Sequence, residues 1–450
     1  MNARWKDAEV AGWGRSTRAS MRLVRPERGG ELVAALAEAR AAGAGLVARG
    51  AGRSYGDAAQ SHGGRGALCE RLDRILAFDA ATNVVECEPG VTFRELLDTF
   101  VPRGLVPPTA SGTSFATVGG GIAADIHGKN HARHGSFGDN VLWFDLLGAD
   151  GMQRRVTPES DEALFRATIG GMGLTGIVTR AAFRLIPGAA QVRVRERRVA
   201  DLDAFFAAFA EFRDTATFTV GWIDALARGR SLGRGVFETA EFAPEAGPAL
   251  SAATPRRVGF DFPSFALSSP VVRAFNELYW RRVPASGREG LRLLDRFLYP
   301  LDGLADWHRL YGKRGFYQFQ SVVPDATAAA ATRAMLETVS AGGNASPLAV
   351  LKTLGGDGRG DLSFPMRGAT LALDIPRAAG AEELLYRLEC IARDAGGRIY
   401  LAKDAVMHPE TLRATYPRLP AFEATLARVD PDGVFESDLA RRLGIGRGGR

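Results

Sequence analysis

At 450 residues, 46% hydrophobic and 24% charged, the chain has the length of about two domains and an ordinary globular composition, which excludes collagen-like and disordered classes. Its net charge of +6 is spread along the sequence without a long basic run, so no nucleic-acid partner is expected and a phosphate-bearing ligand fits better. Three cysteines without CxxC spacing exclude a disulfide framework and a structural zinc site.

In chain order, residues 21–26 read as a strand and 30–43 as a helix, its stripe drawn through positions 32, 33, 36, 37 and 40. Residues 45–50 form a second strand, ending in the loop Gly50-Ala51-Gly52-Arg53-Ser54-Tyr55-Gly56-Asp57. A strand over 83–90 precedes a helix over 91–104, stopped by Pro102 and Gly104. Residues 109–140 are dense in Gly, Thr, Ser, Asn and His, with too little periodicity for a long element. Residues 141–157 predict a β-hairpin turning at Ala149-Asp150-Gly151. A helix starting between Pro158 and Arg166 leads through a loop to a strand. Beyond 190 the texture changes: an amphipathic helix over 201–213, a strand from 218, and Pro-, Gly- and Ser-punctuated loops over 228–270. Residues 314–323 read as a strand and 325–341 as an alanine-rich helix. A strand over 369–376 and a helix over 380–397 follow, the alternation of an α+β domain. No stretch approaches the roughly 18 apolar residues of a membrane span, and residues 1–15 lack a signal-peptide core. The expected location is the cytoplasm, with peripheral membrane contact left open.

Three segments carry chemistry. The loop 49–57 follows a strand, and its glycines let successive backbone N–H groups point at an anion, with Arg53 and Ser54 adding donors. Thr117-Val118-Gly119-Gly120-Gly121 suits a flat ligand lying on bare backbone. His127, His131 and His134 follow closely, but no HExxH spacing is present, the glycines speak against a helix, and no metal is expected. Residues 171–176 match G-x-G-x-x-G but follow a helix and precede a strand, the reverse of a nicotinamide-binding turn. With 52 arginines against five lysines, each lysine is notable for its tunable ammonium, and Lys352 and Lys403 lie in apolar, strand-like sequence. Gln318 and Gln320 share one strand face, to read sugar hydroxyls or to face solvent.

Together, Gly12-Trp13-Gly14-Arg15, ARGAGRSYGDAAQ (48–60), TVGGGIAADIHGKNH (117–131), GSFGDNV (135–141), GLTGI (173–177), LSFP (362–365) and YLAKD (400–404) resemble the vanillyl-alcohol-oxidase-type (PCMH-type) FAD-binding fold, and within it the decaprenylphosphoryl-β-D-ribose 2′-oxidase family. The resemblance implies a two-domain α+β protein: an FAD domain over 1–190, a substrate domain over 191–397, and a segment 398–450 returning to the first. It implies that Arg49, Gly50, Ala51, Gly52, Arg53, Ser54, Tyr55, Gly56, Asp57 and Ala58 wrap the pyrophosphate. Gly112, Thr117, Val118, Gly119, Gly120, Ala124, Asp125, Ile126 and His127 would run along the flavin, with Gly173, Val178 and Tyr400 completing the pocket. Residues 52–55 hold no histidine, so the FAD is expected to be non-covalent.

The implied reaction oxidises the ribose 2′-hydroxyl of a polyprenyl-phosphoryl ribose, after which an NADH-dependent short-chain reductase completes epimerisation to the arabinose for envelope polysaccharide synthesis. Lys403 and His127 would be catalytic, and Lys352, Gln318, Gln320 and Trp222 would bind the lipid-linked sugar phosphate. The segment 228–290 matches the family poorly, and Thr370 and Ala372 depart from its pocket residues. Two other readings compete: a soluble sugar or aldonolactone oxidase using oxygen, and a flavin-binding electron-transfer protein without its own substrate.

Overall fold

The computed structural model describes residues 4–247, 255–344 and 347–446. The fold is α+β, and its strands gather into three principal sheets. A four-stranded sheet runs in the order Lys6–Ala11, Arg18–Val24, Arg65–Leu68, Leu46–Arg49, antiparallel at its first pair and parallel after. Beside it, a five-stranded antiparallel sheet orders Ile75–Asp79, Val84–Cys87, Ile177–Arg184, Val141–Leu147 and Gln153–Val156. The last two of these strands are the predicted hairpin.

The third sheet is antiparallel and eight-stranded: Arg288–Leu293, Gln191–Val199, Gly235–Phe242, Phe218–Ile223, Ala349–Leu354, Gly368–Pro376, Phe316–Pro324, Arg398–Ile399. Alternation gives it two unlike faces. Leu351, Leu371, Leu373, Phe319 and Phe237 are buried in one core with residues of the helices Leu202–Phe212, Asp325–Gly342 and Ala381–Asp394. On the other face lie Gln318, Gln320, Thr370, Ala372, Asp374, Val350, Lys352, Trp222 and Glu238, by the ladder register. A half-polar face of this kind needs something polar to meet it.

Three expectations are corrected. The helix Gly29–Ala41 buries Leu32, Ala35, Leu36 and Ala39, not the stripe through 33, 37 and 40; Arg40 is polar and small alanines fit close to the sheet. The histidine run, whose glycines speak against a helix, contains the short helix His131–His134, and upstream the glycines of 119–121 lie inside the helix Val118–Ala123 despite their poor propensity. Thr117 caps it by accepting from the Gly120 N–H at 3.3 Å, and a Cβ on Gly119 would lie 2.7 Å from that of Pro89, so only glycine lets the turn sit there. The region read as loops over 228–270 contains the strand Gly235–Phe242, paired on both sides, and the helix Ser269–Arg281 begins at its end; residues 248–254 lie outside the described residues.

Near the C-terminus the chain returns to the first sheet. The Leu46 N–H donates to Val434 O at 2.8 Å and Glu436 N–H to Leu46 O at 3.2 Å. The tightest tie is Arg442. Its guanidinium donates to both oxygens of Asp57 at 2.9 Å, to Asp404 Oδ2 at 2.8 Å and to Met407 O at 2.8 Å. Burial holds the Asp57 carboxyl above its usual range despite this partner.

Replacing Arg442 by Met strands two buried carboxylates, and the expected cost at neutral pH is about 3 kcal/mol. In the variant the folded-state pKa of Asp57, already raised by burial, rises further above its unfolded value, so stability recovers as pH falls and a proton neutralises it. Urea titrations at about pH 7 and about pH 5 should therefore show the gap to the parent narrowing on acidification; a pH-independent gap would mean that packing, not charge, is lost.

Candidate active site

The loop after the strand Leu46–Arg49 is held open by its own arginines. Arg49 donates to Ala59 O at 3.0 Å and Ala11 O at 2.8 Å, and burial lowers its pKa. Gly52 has φ +63, and a Cβ there would meet the Arg49 guanidinium. A Cβ on Gly56 would lie 1.9 Å from Asp404 O, so the loop presses on the 400–407 turn as closely as backbone allows. The amides of Ala51, Gly52, Arg53 and Ser54 donate to no protein acceptor among the described residues. The Arg53 guanidinium lies 4.1 Å from the Trp13 ring, its buried Nε without a partner among the described residues. Four consecutive open N–H groups beside a desolvated guanidinium make an anion cradle.

Facing it, the 118–123 helix brings Gly120 and Ala124 forward, and Ala124 O accepts from the Tyr400 hydroxyl at 2.9 Å. A Cβ on Gly112 or Gly173 would meet nothing within 4 Å. Val178 is buried in the strand Ile177–Arg184. Asp125, at φ +40, is turned inward: its carboxylate accepts from the Gly138 N–H at 2.8 Å and from the Ser363 hydroxyl, with burial raising it to about 6. Its side chain pins the loop, which leaves only its backbone to meet a ligand. Ile126 is half-buried and donates its N–H to Gly121 O.

His127 closes the space against the half-polar sheet face. Its Nε2 is 2.9 Å from Gln320 Nε2, which also donates to Thr370 Oγ1 at 3.2 Å. The amide N–H therefore donates to the ring, which places the imidazole proton on Nδ1, and that buried Nδ1 has no partner among the described residues. Burial, with Lys352, His131 and Lys403 nearby, pushes His127 well below its usual pKa and keeps it neutral. Phe364 and Tyr400 each stand 5.1 Å from its ring.

Two amines meet this neutral ring. Lys352 extends from the strand Ala349–Leu354 opposite Thr370; burial and the charge of Lys129 lower it to about 8. Lys403, in the turn after the strand Arg398–Ile399, stands 3.8 Å from the Tyr55 ring centroid. Burial lowers it to about 7, with Asp374 opposing and Lys352 reinforcing. Neither amine hydrogen-bonds a protein acceptor among the described residues. Lys129, behind them on the Phe297 ring and carbonyl, is lowered to about 8 by burial.

Gln318 does not open to ligand as Gln320 does: it donates to Asp374 Oδ1 at 2.5 Å, and Asp374 also accepts from Tyr311 at 2.9 Å. Trp222 lies in the Gln320 row but three strands away, its indole donating to Pro347 O at 2.8 Å and its ring 4.6 Å from Tyr279. Asp374, Tyr311 and Phe364 belong to the cluster without being singled out by the sequence, whereas Thr370, read there as a departure from the family's pocket residues, stands beside Gln320. The available signal was Asp374 two residues beyond Ala372 in an apolar strand, on the face of Gln318 by pairing. His131 accepts from the Gly355 N–H at 3.1 Å, and among the described residues no group of three His, Cys, Asp or Glu could hold a metal ion.

Comparison with known proteins bears on this geometry. Residues 21–157 match the FAD binding domain, and residues 374–443 match the D-arabinono-1,4-lactone oxidase family. The chain is 36% identical, over 96% of its length and 97% of the relative's, to decaprenylphosphoryl-beta-D-ribose oxidase of Mycolicibacterium smegmatis. It is 36% identical to an uncharacterized protein of Streptomyces coelicolor over 79% of this chain and all of that one. A putative D-arabinono-1,4-lactone oxidase of Neurospora crassa is 26% identical over 26% of this chain and 21% of its own length.

The lysine pair makes a pH prediction for the flavin-free protein. Both folded-state pKa values lie below the unfolded lysine value, so between them the unfolded chain binds more protons and stability rises with pH. The urea midpoint should climb from about pH 7 to about pH 9, and the climb should shrink in the Lys352→Met/Lys403→Met double variant. An undiminished climb would place the titration elsewhere.

Proposed function

The chain belongs to the decaprenylphosphoryl-β-D-ribose oxidase family and is an FAD-dependent oxidoreductase, and from that premise we propose that it oxidises the ribose 2′-hydroxyl of a polyprenyl-phosphoryl-β-D-ribose to the 2′-keto sugar. The observation that carries the reading is the set of unpaired, buried amines of Lys352 and Lys403 beside a neutral imidazole. Buried amines with no carboxylate in ion-pair contact among the described residues, only Asp374 at longer range, suit an anionic cofactor and a phosphate-bearing substrate; a neutral polyol needs neither.

The residues fit FAD. The open amides of 51–54 and Arg53 would hold its pyrophosphate, and the bare backbone at Gly112, Gly120 and Gly173 would accept its flat ring. No histidine stands in 52–55, so we take the cofactor to be non-covalent. When bound, FAD would supply the acceptor for the hydride lost from the carbinol carbon, while the hydroxyl proton would pass to Lys403 in its free-amine form, available because burial lowers it to about 7. Lys403 answers the negative charge that this transfer creates, a role for a fixed ammonium in a desolvated site. Gln320, oriented by its bonds to His127 and Thr370, offers its amide oxygen to a sugar hydroxyl. The His127 Nδ1–H is a donor for substrate or cofactor oxygen, and Lys352 with Lys129 draws the phosphate. Trp222 lies farther along the same face, where the prenyl end would leave.

In this reading residues 1–190 and 398–450 hold the cofactor and 191–397 the substrate. The product is a ketone, so a separate NADH-dependent short-chain reductase would complete epimerisation to the arabinose for envelope polysaccharide. A soluble aldonolactone oxidase is the second reading, favoured by the family match over 374–443.

An anaerobic visible spectrum separates the two. The oxidised flavin band should bleach with polyprenyl-phosphoryl ribose and stay unchanged with free ribose or aldonolactones; the reverse pattern would establish the second reading. Acid precipitation should release the flavin into the supernatant. Lys403→Ala should retain FAD and lose at least about a hundredfold in kcat; full turnover would remove Lys403 from the mechanism.

A further inference from the structure

Oxidation of the sugar as described gives His131 no task, yet the residue is only 3% exposed and keeps a bare donor. Its Nδ1 accepts from the Gly355 N–H at 3.1 Å, just past the strand Ala349–Leu354, so the ring proton sits on Nε2. That buried Nε2 has no partner among the described residues. The His127 ring stands 6.4 Å away, centroid to centroid, with its Nδ1–H in the same condition. Lys352 lies near both rings, and its charge adds to burial in keeping them neutral, His131 being lowered to about 4. Two N–H groups cannot satisfy each other, and a buried donor left bare is costly. The rings are also fixed in place. Asn130, between them in sequence, accepts from the Ala110 N–H at 3.2 Å and donates to Pro108 O at 2.7 Å, and Gly128 packs on Ala110 O with no room for a Cβ.

We propose that the His131 Nε2–H, together with the His127 Nδ1–H and the Lys352 amine, binds the phosphate of a phosphate-ester ligand. The donor count selects the ligand. All three groups donate and none accepts. A sugar hydroxyl or a water would bring hydrogens of its own that need acceptors, whereas the oxygens of a phosphate diester only accept. Lys352, lowered to about 8, is still mostly ammonium at neutral pH and supplies the countercharge, which strengthens each bond to an anion. The inference rests on the lipid-linked reading of the substrate face and gives that substrate a direction. Lys352 pairs across the ladder with Thr370, whose hydroxyl accepts from Gln320. A phosphate held at Lys352 and His131 therefore sets the adjoining ribose against Gln320.

Two substitutions separate the two ring nitrogens. Asparagine puts an acceptor near the Nδ1 position and reaches no farther, so His131→Asn keeps the Gly355 contact and loses the donor. Glutamine carries an N–H to the Nε2 position, so His131→Gln keeps the donor and loses the Gly355 contact. The probe is farnesyl phosphate, which has a phosphate and a prenyl chain but no sugar, titrated into the FAD-loaded protein and followed by tryptophan fluorescence. His131→Asn should weaken its binding about tenfold, and His131→Gln should restore it to within about threefold of the parent while melting at a lower temperature. Farnesol should bind the parent and His131→Asn alike. Undiminished binding of farnesyl phosphate by His131→Asn would overturn the proposal, as would an equal loss of farnesol. Tight binding by the asparagine variant with weak binding by the glutamine variant would reduce His131 to a pin for Gly355. Inorganic phosphate that displaces farnesyl phosphate at equal concentration would overturn the ester assignment. If His131→Asn loses farnesyl phosphate but lipid-linked ribose leaves the parent's flavin oxidised, the phosphate site stands and the 2′-oxidation falls. If lipid-linked ribose bleaches the flavin with a dissociation constant that His131→Asn leaves unchanged, the phosphate site falls and the oxidation stands.

Discussion

Arg442 joins segments that are almost a whole chain apart. Its guanidinium lies between Asp57, in the glycine loop, and Asp404, next to Lys403, so one partly buried side chain sets the distance between the anion cradle and the principal amine. Burying three charges is costly, and a well-packed apolar cluster of the same volume could be as stable. What apolar packing would not supply is direction. The bidentate contact to Asp57 and the single contact to Asp404 fix orientation as well as distance, which a loop containing Gly50, Gly52 and Gly56 cannot do through its own side chains. The backbone of that loop is free to accept a ligand because its anchoring is done elsewhere.

From that joint follows an electrostatic arrangement with little compensation. Three amines, Lys129, Lys352 and Lys403, share a desolvated region with Asp374, and burial raises that carboxyl to about 6. Lys129 lowers the proton affinity of Lys352 and Lys352 that of Lys403, and Lys352 and Lys403 both disfavour a charge on His127. The imidazole is thereby kept as a neutral, oriented donor, and the positive charge near it is left for incoming anions. Gln320 serves this order by committing both of its amide hydrogens to His127 and Thr370.

Much of the site is legible in sequence because it depends on local backbone needs. The loop Arg49–Asp57 advertises its close approaches by glycine spacing, and the lysines stand out against an arginine-rich background. The 118–123 helix is not legible, since its glycines are poor helix formers and its stability comes from the Thr117 cap and the fit against Pro89. Nor is the strand Gly235–Phe242, whose place between two partners belongs to the ladder and not to its eight residues. Asp374 and Gln318 share a face by alternation, but their pairing requires two strands about 50 residues apart to be neighbours. That knowledge is tertiary, and it separates Gln320, which holds His127, from Gln318, which is spent on Asp374.

The same sheet explains why residues 228–290 resist reading as well. On its inner rows the half-polar face meets His127 and the amines; on its outer rows it meets Glu196 and Glu238, which are neutralised by Arg282, Arg288 and Arg292. Arg282 follows the 269–281 helix directly, so this charge cluster fastens the end of that helix to the sheet. With its end so tied and Asn276 and Trp280 bonded inward, the helix cannot roll its apolar stripe under cover. Exposure of Phe275 and Leu278 is therefore enforced by polar contacts, not tolerated for want of a partner. A sequence window sees only alternating apolar and basic residues there; which side faces outward is decided by Asp224, Val199 and Glu196, none of them in the window.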